Sequence, residues 1–260
     1  MKKPSIGKYN KKDLIVFDLD GTLTPSKSDL EPDMSRALAA LLARKKVAVI
    51  GGGSYGQFRH QFLKHLHCPT ELLPNLFIFP TTATSFYRYQ KGWRTVYRKA
   101  FSAREIQKIM AAFRAAFIET GYCAPKKIWG KVIENRETQV TFSALGQKAP
   151  LLEKEKWNKT NDVRAKLMAV LKKRLPECEV RSGGLTSIDV TQKGIDKAYG
   201  VLQIKKNLHI PISRMLFVGD ALYPGGNDAA AKKTGVQCVA VTGPKDTEKV
   251  MSAIVNGAIE

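Results

Sequence analysis

No stretch of this chain reaches the roughly 20 consecutive apolar residues that a membrane-spanning helix needs. Its composition, 43% hydrophobic and 25% charged, is that of an ordinary globular protein. Both points argue against a membrane protein. Cysteine is scarce: Cys68, Cys123, Cys178 and Cys238 lie far apart, with no Cys-x-x-Cys pair. That spacing excludes a zinc ribbon and leaves four reduced thiols to act as small hydrophobes. Acidic residues are also few, 23 Asp and Glu against 43 Lys and Arg, for a formal net charge of +20. Such an excess attracts nucleic acid, anionic lipid and small phosphorylated anions alike. The basic residues are spread along the chain, which fits a solubilising surface and argues against nucleic acid as the partner. Basic Met1 to Lys12 leads into an apolar segment broken by Asp18 and Asp20, without a small-residue cleavage site. No signal peptide is read there, and a cytoplasmic location is expected. Internal repeats and low-complexity tracts are lacking.

At 260 residues the chain is long enough for one elaborated domain or two modest ones. Three continuous apolar runs, DLIVFDL (13–19), KVAVIGGG (46–53) and RMLFVGD (214–220), end in polar or glycine-rich turns. Unbroken hydrophobicity is what parallel strands covered on both faces require. The segments 31–46 and 196–209 read as covering helices, the first with Pro32 in its first turn and Met34, Leu38, Leu41 and Leu42 at helical spacing. QCVAVTG (237–243) reads as a further strand. From about Ser85 to Val190 the pattern changes to hairpins and long helices. One hairpin turns at a Lys-Gly pair and another at Glu137. The segment 102–121 opens with a capping box, Ser102 and Glu105, and closes at Gly121, and a second helix is expected over about 161–175. The expectation is an α/β fold: a Rossmann-like parallel-sheet core, 1–84 and 191–260, with an α+β cap domain, 85–190, inserted into it.

The unusual polar residues fall at the carboxyl ends of the predicted strands, where open parallel sheets form their sites. Asp18 and Asp20 follow the first strand, Gly51 to Ser54 the second, and Asp220, Asn227 and Asp228 the late one. Carboxylates gathered this closely resist desolvation unless a divalent cation compensates. Carboxylate and water ligands favour Mg²⁺, which in turn recruits phosphate.

In this order, Asp18-Leu19-Asp20-Gly21-Thr22, Ser54 in IGGGS, Lys197 in KGIDKAYG and the segment GDALYPGGND (219–228) resemble the four motifs of the haloacid dehalogenase superfamily of phosphotransferases. A cap between the second and third motifs resembles the subclass with the large α+β cap, and within it eukaryotic-type phosphomannomutases and related sugar-phosphate phosphatases. The resemblance implies Asp18 as the nucleophile that forms an aspartyl-phosphate and Asp20 as the general acid/base, with its backbone carbonyl on Mg²⁺. It implies Ser54 and Gly53 at the transferring phosphoryl group, and Lys197, rather than Lys193, as the charge that steadies it. Asp220 would be the acidic Mg²⁺ ligand, alongside Asp18, with Asn227 and Asp228 orienting the ion's surroundings. The bland alternative for each residue is an N-cap or turn role.

For specificity, the resemblance points to Arg136, Ser187 and Asp189 in the cap as sugar-phosphate contacts. Lys27 and Gln147 stand where it expects phosphate-clamping arginines. A mutase must hold a bisphosphate at both ends while it turns round, so the loss of bidentate clamps favours simple hydrolysis. The expectation is a Mg²⁺-dependent phosphatase of small phosphorylated sugars such as mannose 6-phosphate, with phosphomannomutase as the alternative and a nucleic-acid-binding protein as a weaker one. A homodimer through the cap is allowed by the same resemblance. His60, His65 and His67 read as surface or packing residues. Tyr87, Tyr89, Trp93 and Tyr97 read as core aromatics rather than a base-stacking platform.

Overall fold

A computed structural model describes residues 9, 11–25, 28–160 and 163–257, the side chains of 158–160 excepted. The strands are β1 (Leu14–Asp18), β2 (Lys46–Ile50), β3 (Leu76–Phe79), β4 (Ser85–Tyr89), β5 (Trp93–Arg98), β6 (Ile133–Asn135), β7 (Gln139–Ser143), β8 (Cys178–Gly183), β9 (Ser187–Gln192), β10 (Met215–Gly219) and β11 (Gln237–Ala240). The α-helices are α1 (Pro32–Leu42), α2 (Tyr55–Gln61), α3 (Ala103–Thr120), α4 (Leu151–Thr160), α5 (Val163–Arg174), α6 (Lys197–Leu208) and α7 (Pro244–Asn256). They form two compact units, Met1–Arg98 with Asp196–Glu260, and Lys99–Ile195. Among the described residues no helix is long and apolar enough to cross a membrane.

The first unit is built on a seven-stranded sheet of order β11-β10-β1-β2-β3-β4-β5. Strands β11 to β3 are parallel, and β1 lies between β10 and β2, with Ile15 opposite Leu216 on one side and Val47 on the other. Alternate residues of β1 serve opposite faces. Ile15 and Phe17 pack with Met34, Leu38, Phe58 and Met251 from α1, α2 and α7. Leu14 and Val16 pack with Val201 and Ile204 of α6. This double coverage is why β1 reads as an unbroken apolar run. Truncating fully buried Phe17 to alanine would cost about 3–5 kcal/mol.

The hairpin β4–β5 belongs to this sheet, so the unit boundaries fall after Arg98 and after Ile195 instead of at 84/85 and 190/191. Five residues join β3 to β4, too few for the crossover of a dozen or more that a parallel neighbour requires. The chain therefore turns back, and β4 pairs antiparallel with β3, Ile78 opposite Tyr87. The connection is left-handed through three residues that are not glycine: Thr81 (φ 47°), Thr82 (φ 55°) and Ala83 (φ 61°). Each such residue costs about 1–2 kcal/mol. Hydrogen bonds hold the turn in place: Thr81 N–H donates to the Gly53 carbonyl (2.9 Å), Thr82 N–H to the Gly51 carbonyl (2.8 Å) and Tyr97 Oη–H to the Ala83 carbonyl (2.8 Å).

The second unit carries an antiparallel sheet of order β6-β7-β9-β8. Helix α3 starts at the Ser102–Glu105 capping box and stops where Gly121 turns left-handed (φ 64°). Its Ile109 and Phe113 pack with Leu167 and Leu171 of α5 and with Val140, Phe142, Ile188 and Val190 of the sheet. The other face of β7 and β9 is polar, because the strand period sends every second residue there. Gln139 lies opposite Thr191, Thr141 opposite Asp189 and Ser143 opposite Ser187.

Candidate active site

In the first unit, the carboxyl ends of β1, β2 and β10 bring their polar residues together. Asp18 is the last residue of β1, and the turn after it closes on itself: Gly21 N–H donates to the Thr24 carbonyl (2.8 Å), and Leu23 and Thr24 N–H donate to the Leu19 carbonyl. Gly21 has φ 87°, and a Cβ there would lie 2.6 Å from Asp220 Oδ2, so glycine lets β10 approach. Thr22 Oγ1 donates to Asp220 Oδ1 (3.0 Å) and accepts from the Asp220 N–H (3.1 Å).

Lys197, the first residue of α6, is buried and donates to the Asp18 carboxylate and to the Ile50 carbonyl (3.2 Å). Its Nζ also lies 3.2 Å from Asp228 Oδ1. The rival Lys193 donates instead to the Pro176 carbonyl in the second unit. Burial opposes the charge on Lys197, but the carboxylates of Asp18 and Asp228 outweigh it and hold the ammonium charged more firmly than in a free lysine. Burial pushes the Asp18 carboxyl up to about 8, with Asp228 and Asp20 adding to the rise and Lys197 opposing it. Asp220 is raised too, again chiefly by burial, against the hydrogen bond from Thr22.

Asp18, Asp220 and Asp228 each turn a carboxylate oxygen into one cluster in which the three lie within 4.8 Å of one another. Three carboxylates thus gather near one ammonium, with Asp20 close enough to add to the rise at Asp18. Asp228 Oδ1 is fully buried and receives no well-directed hydrogen bond among the described residues, although Lys197 is close. An oxygen-only set of this size, with an acceptor left over, fits a hard divalent cation such as Mg²⁺. Asp228 lies inside the cluster, its Oδ2 accepting from Ala221 N–H (3.2 Å), while Asn227 beside it is exposed.

Ser54 is the N-cap of α2: its Oγ accepts from Gln57 N–H (3.3 Å), and its own N–H donates to Gln57 Oε1 (2.8 Å). The hydroxyl proton is the group left for a phosphate oxygen. Gly53 lies in the loop just before it, its carbonyl engaged by Thr81. Sequence reasoning missed Gln61, the last residue of α2, whose Nε2 donates to Asp20 Oδ1 (2.8 Å) and Thr24 Oγ1 (2.9 Å). Its signal was its position seven residues after Ser54, two helical turns further along the same face.

In the second unit, Arg136 is neither exposed nor open-handed. Its side chain is 6% exposed, Nε donates to Glu134 Oε2 (2.7 Å), and Nη2 donates to Gln147 Oε1 (3.1 Å). The Gln147 Nε2 is buried without a hydrogen-bond partner among the described residues. Ser187 Oγ shares a hydrogen bond with Ser143 Oγ (2.8 Å), and Asp189 Oδ1 accepts from Thr141 Oγ1 (2.7 Å). Lys27 lies outside the described residues. His65 pairs with Asp29 at 3.4 Å, and no histidine belongs to a metal-type cluster among the described residues. The hairpin aromatics pack within the first unit, Tyr87 stacked on Tyr55 at 3.7 Å and Tyr89 edge-on to Trp93 at 5.7 Å.

A parallel sheet with carboxylates and one lysine at its strand ends, and an α+β unit inserted into the chain, defines the haloacid dehalogenase class of phosphotransferases. Solved structures share the fold. A C-terminally truncated IMP-nucleotidase from Plasmodium falciparum matches with TM-score 0.71 at 19% identity, covering 97% of this chain and 74% of that one. Trehalose-6-phosphate phosphatase from Aspergillus fumigatus matches with TM-score 0.55 at 18% identity over 96% of both chains. The family model for eukaryotic phosphomannomutase matches residues 34–257, and the chain belongs to that family. The phosphomannomutase of Encephalitozoon cuniculi is 27% identical over 246 residues, 92% of this chain and 91% of the relative.

Proposed function

We propose that this chain transfers a phosphoryl group to and from hexose phosphates through Asp18, and that its reaction is that of a phosphomannomutase, interconverting mannose 1-phosphate and mannose 6-phosphate. The observation that carries the chemistry is buried Asp18, held against Lys197 at a strand end and flanked by Asp220 and Asp228. Family membership and the names of the relatives favour the mutase over the hydrolase expected from the sequence.

Asp18, Asp220 and Asp228 would hold Mg²⁺, with the Asp20 carbonyl; when bound, the ion neutralises the carboxylates and the incoming phosphate. Lys197 keeps Asp18 oriented and adds positive charge where the transferring group becomes most anionic. An Asp18 oxygen bonds to phosphorus as the P–O bond to the sugar breaks. The electron pair stays on the sugar oxygen, which takes a proton from Asp20. In the second half, a hydroxyl attacks phosphorus, Asp20 recovers the proton, and the Asp18–phosphorus bond breaks. The Ser54 hydroxyl can donate to a phosphoryl oxygen throughout.

Hydrolysis is the second reading, and Gln147 favours it. At that position a neutral amide replaces the expected arginine, and Arg136 beside it already commits Nε to Glu134 and Nη2 to Gln147. Incubating mannose 1-phosphate with Mg²⁺, with and without a hexose 1,6-bisphosphate, separates the two. Mannose 6-phosphate as the main product supports the mutase; free mannose and inorganic phosphate overturn it in favour of the hydrolase. No turnover of p-nitrophenyl phosphate that EDTA removes, or turnover that survives Asp18→Asn, overturns both.

A further inference from the structure

We infer that Gln61 is the positioning residue for the acid/base Asp20, an assignment that rests on the phosphoryl-transfer reading of the Asp18 site. The Gln61 amide has two donors, and both are engaged: one reaches Asp20 Oδ1 at 2.8 Å and the other Thr24 Oγ1 at 2.9 Å. These partners are the two ends of one short turn, bridged to each other as Asp20 and Thr24 and closed by the hydrogen bond from Gly21 N–H to the Thr24 carbonyl. Gln61 therefore fastens the Asp20 carboxylate to the turn that carries it. Its own backbone is fixed independently, because its carbonyl accepts from Leu30 N–H (2.8 Å) and it closes the helix that Ser54 opens.

A carboxylate offers only acceptors, so the amide must present its NH₂ to Asp20, and that contact fixes how the carboxyl group lies. So held, the carboxyl gives its proton to the sugar oxygen as the P–O bond breaks and takes it back from the attacking hydroxyl. A carboxyl without this tether keeps its chemistry but loses its aim, and misplacement by about 1 Å can cost on the order of 10²-fold in rate.

The test uses leaving groups. A sugar oxygen needs the proton, whereas p-nitrophenolate leaves without one. Gln61→Met, close in length and without donors, is expected to lower kcat/KM on a hexose phosphate by about 10–100-fold, and kcat/KM on p-nitrophenyl phosphate, which reports only the transfer to Asp18, by less than about 3-fold. Combined with Asp20→Ala it should cause no further loss, since the residue it serves is gone. Gln61→Glu keeps the side-chain shape, sets a carboxylate against Asp20, and gives the same pattern if Gln61→Met proves poorly folded. Equal losses on both substrates, or a loss that adds to that of Asp20→Ala, overturn the assignment while leaving the Asp18 chemistry standing. A parent chain with no Asp18-dependent turnover overturns the phosphoryl-transfer reading, and the assignment with it.

Discussion

Thr22 and Asp220, 198 residues apart, hold each other through two hydrogen bonds, the hydroxyl donating to the carboxylate at 3.0 Å and accepting from the backbone N–H at 3.1 Å. One side chain thus ties the loop after β1 to the loop after β10 and aims Asp220 into the acidic cluster. Thr22→Val keeps the shape and removes both bonds. Mg²⁺ affinity should fall by roughly 10–100-fold, the usual cost of losing a group that orients a ligand. A calorimetric Mg²⁺ titration checks this, and unchanged affinity would deny Thr22 that role.

Asp18→Asn should abolish turnover, by roughly 10³-fold or more, because an amide cannot form the acyl-phosphate link. The fold should survive, since the substitution also lessens carboxylate repulsion in the cluster. Steady-state kinetics on p-nitrophenyl phosphate, with a thermal melt of the same sample, reads both.

Mg²⁺ and a proton compete for Asp18. Its carboxyl is raised to about 8, mainly by burial, so below that pH the metal-free protein carries a proton that must leave before the ion binds. Affinity should therefore rise with pH from 6 and level off near 8, by up to about tenfold per unit. Binding at pH 7 should release protons, visible as a heat that differs between buffers of unlike ionisation enthalpy. Equal heats in such buffers would contradict the raised carboxyl.

Gly21→Ala should weaken stability and Mg²⁺ binding together. The added methyl group meets Asp220 at 2.6 Å and forces a φ of 87° on an alanine, a strain of about 1–3 kcal/mol. Denaturant unfolding and metal titration are the paired measurements.

Ser102→Ala tests the second unit by itself. It removes the acceptor for Glu105 N–H and should cost about 1 kcal/mol without touching kcat. A drop in kcat at constant substrate saturation would give Ser102 a part that its position at the start of α3 does not suggest.

The parallel core was legible because β1, β2 and β10 are buried on both faces and so spell continuous apolar runs. Helix α3 was legible from its capping box and Gly121. The hairpin β4–β5 reads from the sequence as part of the inserted unit but belongs to the first, since local alternation and a Lys-Gly turn look alike in either sheet and only long-range pairing with β3 decides. The left-handed turn at Thr81, Thr82 and Ala83 had no glycine or asparagine to announce it. The acids and Lys197 were visible because strand ends concentrate polar residues. The state of Arg136 was not, because its partner Gln147 lies eleven residues on and its partner Glu134 looks like any exposed strand residue.

The placement of β1 between β2 and β10 sets a timetable for synthesis. One edge of β1 is matched within some 30 residues, but its other partner, beginning at Met215, emerges about 200 residues later. At the usual ribosomal pace of about 5–20 residues per second, the unpaired edge of a largely apolar strand waits roughly 10–40 s for its neighbour. Over that interval the compact unit Lys99–Ile195 emerges while the edge of β1 stays open, and slowing translation beyond residue 195 should increase aggregation before any catalytic property changes.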